Sequence, residues 1–311
     1  MAEMNLEDIN RMAKESPLEL VRISEQRYRS LVSDLATRVK KNEQIKVILL
    51  AGPSGSGKTT TANLLSDALI GAGEESMVVS LDDFYRDSGD PDYPRLDNGE
   101  RDFETVDALD LPFLTKTLSD IAASRPFLLP KYDFKVAKRT VVRKIPAMPH
   151  GCVIIEGLHA LNPKVFSGLP KERLLKIFIS VSTNVNEGGV RIISGRKVRF
   201  LRRMIRDSLY RGADAERTLG LWKNVLIGED KYLYPHRHNA DVSFDTFHPF
   251  ELSVMRSFAE KLISAPLASK DGYAGAVLDA VERVFPLDEK IVPDTSLIRE
   301  FIPGGKYEAL Y

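Results

Sequence analysis

Apolar residues recur along the chain with two spacings, one typical of strands and the other of helices. Five short runs are almost continuously apolar, covering residues 46–51, 77–81, 152–156, 175–181 and 241–244. This is the pattern of strands that are buried on both faces of a parallel sheet. Helix-like segments separate the runs, so the pattern predicts an α/β fold with a mainly parallel sheet covered by helices on both faces.

Two segments around the first run show helical spacing. Residues 18–41 carry apolar side chains near every third or fourth position and end in a charged stretch, which predicts an N-terminal helical arm. We expect the arm to pack on the core or on a second subunit, so a homo-oligomer is an open expectation. Residues 59–69 place Ala62, Leu65 and Leu69 on one side of a second helix.

We divide the chain into three parts, namely an arm at 1–44, an α/β domain at 45–265, and a C-terminal helix with an extended tail at 266–311. Inside the domain, residues 125–146 alternate around a polar centre, which predicts a β-hairpin projecting from the sheet. Residues 195–217 begin with a basic helix.

Composition narrows the class of protein. Lys plus Arg number 44, as do Asp plus Glu, so no excess of positive charge favours nucleic acid or a membrane surface as a partner. Cys152 is the only cysteine, and its apolar surroundings predict burial. The N-terminus lacks the features of a signal peptide, and no apolar run approaches the roughly 18 residues that span a bilayer. We expect a cytoplasmic protein with a small-molecule partner.

Residues 52–59 read GPSGSGKT, which matches the phosphate-binding loop G-x-x-x-x-G-K-[ST] at every fixed position. Glycines let successive N–H groups surround one point, and the following helix directs its positive end at that point. The lysine would reach the terminal phosphates, and the threonine hydroxyl would bind a bridging Mg²⁺. We expect ATP and Mg²⁺ to be held by Gly52, Ser54, Gly55, Ser56, Gly57, Lys58, Thr59 and Thr60.

Acidic residues stand at the ends of two predicted strands, with Asp82 and Asp83 after the second strand and Glu156 at the end of the third. Open α/β sheets bind their ligands at the carboxyl ends of strands. A carboxylate beside the P-loop could hold Mg²⁺ or accept a proton from an attacking hydroxyl group. Helix capping or a hydrogen bond within a loop is the alternative role for each acid.

The basic helix carries an apolar stripe and a row of arginines on different faces. Guanidinium groups near a P-loop could neutralise the charge of a transferring phosphoryl group. A solvated basic surface is the alternative. The stripe consists of Val198, Leu201, Ile205 and Leu209, and the row consists of Arg199, Arg203 and Arg206.

The predicted hairpin carries Tyr132 and Phe134 close together. Their rings could cover a substrate, or they could simply pack inward from a solvated edge hairpin. His159, shortly after Glu156, could contact the same substrate.

These segments together resemble the uridine kinase-like P-loop kinases, a family that also includes phosphoribulokinase and bacterial pantothenate kinase. The likeness covers roughly residues 46–263 and rests on AGPSGSGKTT, SLDDFYR, FETVDALD, KYDF, VIIEG and RFLRRMIRDSLYRG. It implies a P-loop kinase fold with an inserted substrate hairpin and an arginine-rich lid. It also implies ATP with Mg²⁺ as the donor and a small molecule with a hydroxyl group as the acceptor.

The resemblance also implies roles for particular residues. Asp82 matches the acid that acts as base or magnesium ligand, and Thr59 and Glu156 match residues beside the magnesium. The residues expected to promote transfer are Lys58, Asp82, Arg203, Arg206 and Arg211. The residues expected to bind the acceptor are Tyr85, Glu104, Tyr132, Phe134 and Arg139.

Departures from the family pattern concern the acceptor. Ala137 stands where characterised uridine-cytidine kinases have a histidine that contacts the pyrimidine, Ala213 replaces a second lid arginine, and residues 104–106 read Glu-Thr-Val instead of Asp-His-Pro. Other insertions look closer to a bacterial branch of nucleoside kinases. We therefore expect a nucleoside as acceptor, with a sugar, polyol or pantothenate-like alcohol as the alternative.

Two further alternatives remain open. A phosphorylated acceptor would need a second basic pocket, which Lys135, Lys138 and Arg139 could supply. A nucleotide-dependent switch protein would also contain a P-loop. The chain lacks the N-K-x-D motif that reads guanine, which weighs against a GTPase switch.

Overall fold

The computed structural model describes residues 3–95, 99–134 and 136–310. The strands in this part of the chain are β1 (Glu3–Asn5), β2 (Val47–Ala51), β3 (Glu75–Ser80), β4 (Phe127–Asp133), β5 (Lys138–Ile145), β6 (Gly151–Glu156), β7 (Leu174–Ser180), β8 (Asn184–Glu187), β9 (Val190–Ile193) and β10 (Val242–Asp245). The α-helices are α1 (Leu6–Glu15), α2 (Pro17–Lys40), α3 (Lys58–Gly71), α4 (Leu111–Ala122), α5 (Pro163–Phe166), α6 (Gly195–Tyr210), α7 (Ala215–Gly228), α8 (Glu251–Leu262), α9 (Ala265–Lys270) and α10 (Gly272–Glu282).

A five-stranded sheet forms the centre of the molecule, with all strands parallel in the order β10, β7, β2, β6, β3. Each of the five apolar runs is one of these strands, which confirms the predicted α/β fold. Every residue of β2 and β6 is buried, so continuous apolarity is the pattern these strands need. The register aligns Leu50, Ser80 and Glu156, so β2, β3 and β6 end at the same edge.

Helices cover both faces of the sheet, as predicted. Side chains of β2 alternate between the faces, with Ile48 and Leu50 in one core and Val47 and Leu49 in the other. The larger core includes residues of α2, α3, α6, α8 and α10, and the smaller one includes residues of α4 and the hairpin strand β4. The two cores hold the carboxyl edge of the sheet in a fixed position.

The N-terminal arm packs on the larger core. The predicted helix at residues 18–41 is confirmed as α2, and a shorter helix, α1, precedes it. Tyr28 of α2 is fully buried, and its hydroxyl group lies 2.6 Å from Thr61 Oγ1 in the helix that follows the P-loop. Ahead of α1, β1 joins β8 and β9 in a small separate sheet. The arm is therefore in direct contact with the nucleotide-loop helix.

The C-terminal segment returns to the same core. After α10, residues 283–310 form short 3₁₀ turns with little other regular structure. Leu297, Ile298, Phe301 and Ile302 have no exposed surface. The chain thus ends against the P-loop side of the molecule, while its division into three parts stays a prediction.

The basic helix α6 corrects two expectations from the sequence. Arg199, predicted on the phosphate-facing side, is 1% exposed and pairs with Glu229, while Leu209, predicted in the packed stripe, is 42% exposed. Helical spacing shows only which face of a helix a residue occupies, so the sequence alone favoured an exposed position for each arginine. In the structure, α6 lies between the P-loop and α8, where acidic partners from other elements make burial of an arginine possible.

A second buried arginine of α6, Arg202, forms a two-point ion pair with Glu251 at the start of α8. Its Nε lies 2.6 Å from Oε2 and its Nη2 lies 2.9 Å from Oε1, and neither side chain is exposed to solvent. Bidentate geometry satisfies both charged groups away from water. The pair joins the lid helix to the core.

Replacing Arg202 with Met should destabilise the protein strongly, because Glu251 would then be a buried charge without a partner. We expect the free energy of unfolding to fall by about 3 to 5 kcal/mol, measured by urea denaturation. Arg22→Met is the control, since Arg22 and Glu19 form an exposed pair on α2 that solvent screens. Equal denaturation midpoints for the two variants would contradict the assigned role of the buried pair.

Candidate active site

The P-loop joins β2 to α3 and depends on glycine at two positions. Gly55 and Gly57 have φ of +74° and +89°, in the left-handed region. A Cβ atom at Gly55 would lie 2.6 Å from the carbonyl oxygen of Arg199, and one at Gly57 would lie 2.6 Å from a methyl group of Leu297. Both the turn and the close packing around it require glycine here.

Side chains from distant elements hold the carbonyl groups of the P-loop. Arg199 donates from Nη1 to the carbonyl oxygen of Ser54 at 2.8 Å, and Arg202 donates to that of Gly55 at 3.2 Å. Thr246 Oγ1 donates to the carbonyl oxygen of Ser56 at 2.8 Å. Sequence reasoning missed these contacts because no local spacing links the loop to residues so far along the chain.

Three charged residues predicted at the site share one electrostatic environment. Lys58 begins α3, Glu156 ends β6, and Asp82 follows β3 in a short 3₁₀ turn. Burial raises the pKa of Glu156 to about 7, with Lys58 opposing the rise and Asp82 adding to it. Desolvation by surrounding protein also raises the pKa of Asp82, and Lys58 again opposes this. The strand ends therefore bring together a cation and two carboxyl groups.

The neighbouring acids Asp82 and Asp83 have different surroundings. Asp82 is surrounded by protein on part of its surface but is still open to solvent, and among charged groups it interacts most strongly with Lys58 of the P-loop. Asp83 Oδ1 accepts the backbone N–H of Tyr132 at 3.2 Å and lies 3.0 Å from Nζ of Lys131. One acid thus interacts electrostatically with the phosphate loop, while the next anchors the hairpin.

The predicted lid arginines gather around one carboxylate, Asp207. Its oxygens lie 2.9 Å from Arg206 Nη2, 3.2 Å from Arg203 Nε and 3.6 Å from Arg211 Nη1. Arg203 also donates from Nη1 to Ser54 Oγ in the P-loop at 2.9 Å. Sequence reasoning missed Asp207. It stands four residues after Arg203 and four before Arg211, and this i, i+4 spacing on a helix is the signal that could have identified it.

Three predicted acceptor-side residues, Tyr85, Tyr132 and Phe134, form an aromatic cluster. Their ring centroids are 5.8 Å apart for Tyr85 and Tyr132, 6.0 Å for Tyr85 and Phe134, and 5.0 Å for Tyr132 and Phe134. The antiparallel pairing of β4 with β5 confirms the hairpin that carries two of the rings. Tyr132 is buried, whereas Phe134 is 64% exposed and is available to a ligand.

Glu104 lies between the lid and the acids. Burial raises its pKa, Arg203 lowers it, and Asp102 and Asp82 raise it further. His159, which is 5% exposed, has a pKa lowered by burial to about 4 and is neutral at physiological pH. A backbone hydrogen bond connects it to Glu104. The structure thus places a neutral imidazole next to the backbone of Glu104.

Arg139, which was also predicted to bind the acceptor, is paired with acids and is not part of the aromatic cluster. Its Nη2 lies 2.7 Å from Asp110 Oδ2, and its backbone N–H donates to Asp87 at 2.7 Å. Arg86 nearby lies 3.7 Å from Asp90. Of the other two basic residues proposed for a phosphate pocket, Lys138 begins β5, and Lys135 lies outside the described residues. The positive charges of Arg139 and Arg86 are therefore compensated by acids.

In the described ranges, no three His, Cys, Asp or Glu side chains come together as a metal centre. Thr59, Asp82 and Glu156 nevertheless offer hydroxyl and carboxylate oxygens, the ligand type that Mg²⁺ prefers. Such a set suits an ion that takes its other ligands from bound phosphates and water.

The parallel sheet, the phosphate loop and the acids at the strand ends define a P-loop kinase. The model of the phosphoribulokinase / uridine kinase family matches residues 47–252, and the chain belongs to this family. Membership of this kinase family implies a small-molecule substrate and the use of ATP. No helix that the structure describes has the length and apolarity to cross a membrane.

Bacterial uridine kinases are similar to about two thirds of the chain. A uridine kinase of Deinococcus deserti is 31% identical over 199 residues, which cover 63% of this chain and 85% of that protein. A uridine kinase of Borrelia duttonii is 28% identical over 222 residues, or 70% and 96% of the two chains. Among solved structures, D-glycerate 3-kinase of Cryptococcus neoformans covers 64% of this chain and 87% of its own, at 17% identity and a TM-score of 0.46, too low to bear on function.

The raised pKa of Glu156 predicts a pH dependence of stability. A carboxyl group that holds its proton more tightly when folded contributes stability below its unfolded pKa, near 4.5, and that contribution is lost as the pH rises through about 7. Between about pH 5 and pH 8 the unfolding free energy of the wild type should fall by up to roughly 3 kcal/mol relative to Glu156→Gln, which cannot titrate. Urea denaturation across this range measures both profiles, and parallel profiles would refute the prediction.

Proposed function

We propose that the protein transfers the γ-phosphate of ATP to a hydroxyl group of a nucleoside. One observation carries the proposal, namely that Asp82 follows β3 at the carboxyl edge and interacts electrostatically with Lys58 of the P-loop, while Asp83 anchors the aromatic hairpin. Two consecutive residues therefore link a phosphate site to a second site with the rings needed for an organic acceptor. A nucleotide switch does not need this second site.

On the donor side, the P-loop would hold the phosphate chain of ATP through backbone N–H groups, with Lys58 at the terminal phosphates. Thr59, Asp82 and Glu156 would hold Mg²⁺ directly or through its water molecules. The bound ion would supply positive charge to the phosphate oxygens. Glu156 is partly protonated near neutral pH in the ligand-free protein, and a cation beside it would favour its ionised form.

During transfer, the carboxylate of Asp82 would accept the proton of the attacking hydroxyl group. The guanidinium groups of Arg203, Arg206 and Arg211 would stabilise the charge spread over the transferring phosphoryl group. Asp207 holds these three arginines together before the donor binds. In this arrangement the lid is charged and already close to the P-loop.

On the acceptor side, the exposed ring of Phe134 and its two neighbours offer stacking area for a base, and Glu104 offers an acceptor for ribose hydroxyl groups. The relatives named uridine kinase support a nucleoside. Ala137 leaves the choice of base open, since it lacks the histidine that contacts a pyrimidine. Compensation of Arg139 by Asp110 disfavours a phosphorylated acceptor.

The test is an ATP-consumption screen with separate panels of nucleosides, sugars, polyols and pantothenate-like alcohols. Mass spectrometry of the product must show one added phosphate. Transfer to a nucleoside supports the proposal, and transfer only to a sugar, polyol or pantothenate-like alcohol replaces it. ATP hydrolysis without transfer to any acceptor would favour the switch.

Asp82→Asn should lower phosphate transfer by at least about a hundredfold while ATP still binds, because the amide keeps the shape of the side chain but cannot act as a base. Asp83→Asn is the matched control. It should keep the turnover number within a few-fold of wild type, since its carboxylate faces the hairpin. Turnover is measured at saturating acceptor, and a dead Asp83→Asn with an active Asp82→Asn would reverse the assignment.

Phe134→Ala should raise the KM of the acceptor several-fold and leave that of ATP nearly unchanged, because the exposed ring supplies stacking area only on the acceptor side. Val136→Ala, at another exposed apolar residue of the hairpin tip, controls for the loss of an apolar side chain there. Steady-state kinetics with each substrate varied in turn measures both constants. An unchanged acceptor KM in Phe134→Ala would remove the ring from the binding site.

A further inference from the structure

A carboxylate from the C-terminal segment lies on the phosphate loop. Glu300 Oε2 accepts hydrogen bonds from the backbone N–H of Thr60 at 3.2 Å and from Thr60 Oγ1 at 2.9 Å. Its other oxygen, Oε1, is 3.8 Å from Nη1 of Arg206 in the lid helix. Glu300 is 4% exposed, so its carboxylate is buried against the phosphate loop and is not a surface group.

The backbone around Glu300 is firmly positioned. Leu297 packs against Gly57 of the P-loop, and the ring of Phe301 lies 5.1 Å from the guanidinium group of Arg202. Arg299 donates to four carbonyl groups of its own segment, those of Glu289, Val292, Pro293 and Pro303. With the backbone held in this way, only the Glu300 side chain can readily move away from Thr60.

The N–H group of Thr60 belongs to the first turn of α3, where P-loops bind phosphate oxygens. Lys58 and the strand-end acids mark the place of the terminal phosphates, and Thr60 lies two residues further along the helix. Its N–H group is therefore placed to donate to the α-phosphate, which is the end of the phosphate chain nearest the adenosine of ATP. Glu300 places a negatively charged oxygen where an α-phosphate oxygen would bind.

Building on the proposed use of ATP, we propose that Glu300 is a donor-specificity residue that occupies the α-phosphate position of the P-loop and must be displaced by any donor with a phosphate there. A chain of two phosphates can bind at the terminal positions while Glu300 stays on Thr60. A chain of three phosphates cannot. Glu300 thus weakens ATP binding selectively, and Arg206 is the cation beside its carboxylate that can receive it after displacement.

The test compares the binding of three probes, each with Mg²⁺, by isothermal titration calorimetry. ATP and inorganic tripolyphosphate reach the α-position, whereas pyrophosphate does not. In Glu300→Gln, which can still accept from Thr60 but carries no charge, ATP and tripolyphosphate should bind about tenfold more tightly. Pyrophosphate should change by less than about twofold. Glu289→Gln, at another acid of the same segment, should change none of the three affinities.

Two outcomes would overturn the inference, namely unchanged or weaker ATP binding in Glu300→Gln, or an equal gain for all three probes. Glu300→Asp decides the matter if Glu300→Gln does not fold, because a side chain one methylene shorter keeps the charge but loses its reach to Thr60. It too should bind ATP more tightly than wild type. Failure of every probe to bind either protein would overturn the inference together with the phosphate site. Lack of transfer to a nucleoside would leave these affinities unaffected, so the two failures are distinguishable.

Discussion

The site depends on how the P-loop is held from outside. A loop that turns its N–H groups toward an anion turns its carbonyl groups away, and these need donors of their own. Arg199 and Arg202 supply two of the donors from within the protein. Each can be buried because a glutamate, Glu229 or Glu251, neutralises it with two hydrogen bonds. The same helix that holds the loop carries the lid arginines, so hydrogen bonds connect the lid directly to the loop.

In the ligand-free site, acids of the chain balance the positive charges that would face a phosphate chain. Glu156 interacts with Lys58, Asp82 and Glu300, and the lid arginines surround Asp207. A site built for a polyanion would be unstable if its cations had no partners, so acids of the chain stand in for the phosphates. Competition between these internal acids and the ligand allows the affinity for a phosphate chain to be set by a residue far from the P-loop in sequence.

Burial also gives similar carboxyl groups different properties. Glu156 ends a strand inside the sheet and is desolvated, so its pKa rises to about 7. Asp245, which is half-buried, has a pKa below its usual range, because hydrogen bonds from Thr183, Phe247 and Ser182 outweigh its desolvation and stabilise its ionised form. What separates these two acids is the number of donors that their neighbours supply.

The sequence by itself determined the five strands, the P-loop, the hairpin and the arginines of α6, because each depends on local periodicity or on the spacing of a short motif. It also placed Asp82 and Glu156 at the carboxyl edge of the sheet, since parallel strands must end at a common edge. Only the tertiary structure decided that Arg199 is a buried clamp, that Asp83 anchors the hairpin and that Glu300 lies on Thr60. These contacts join residues as many as 240 positions apart, and no periodicity along a chain encodes which side chains its folding brings together.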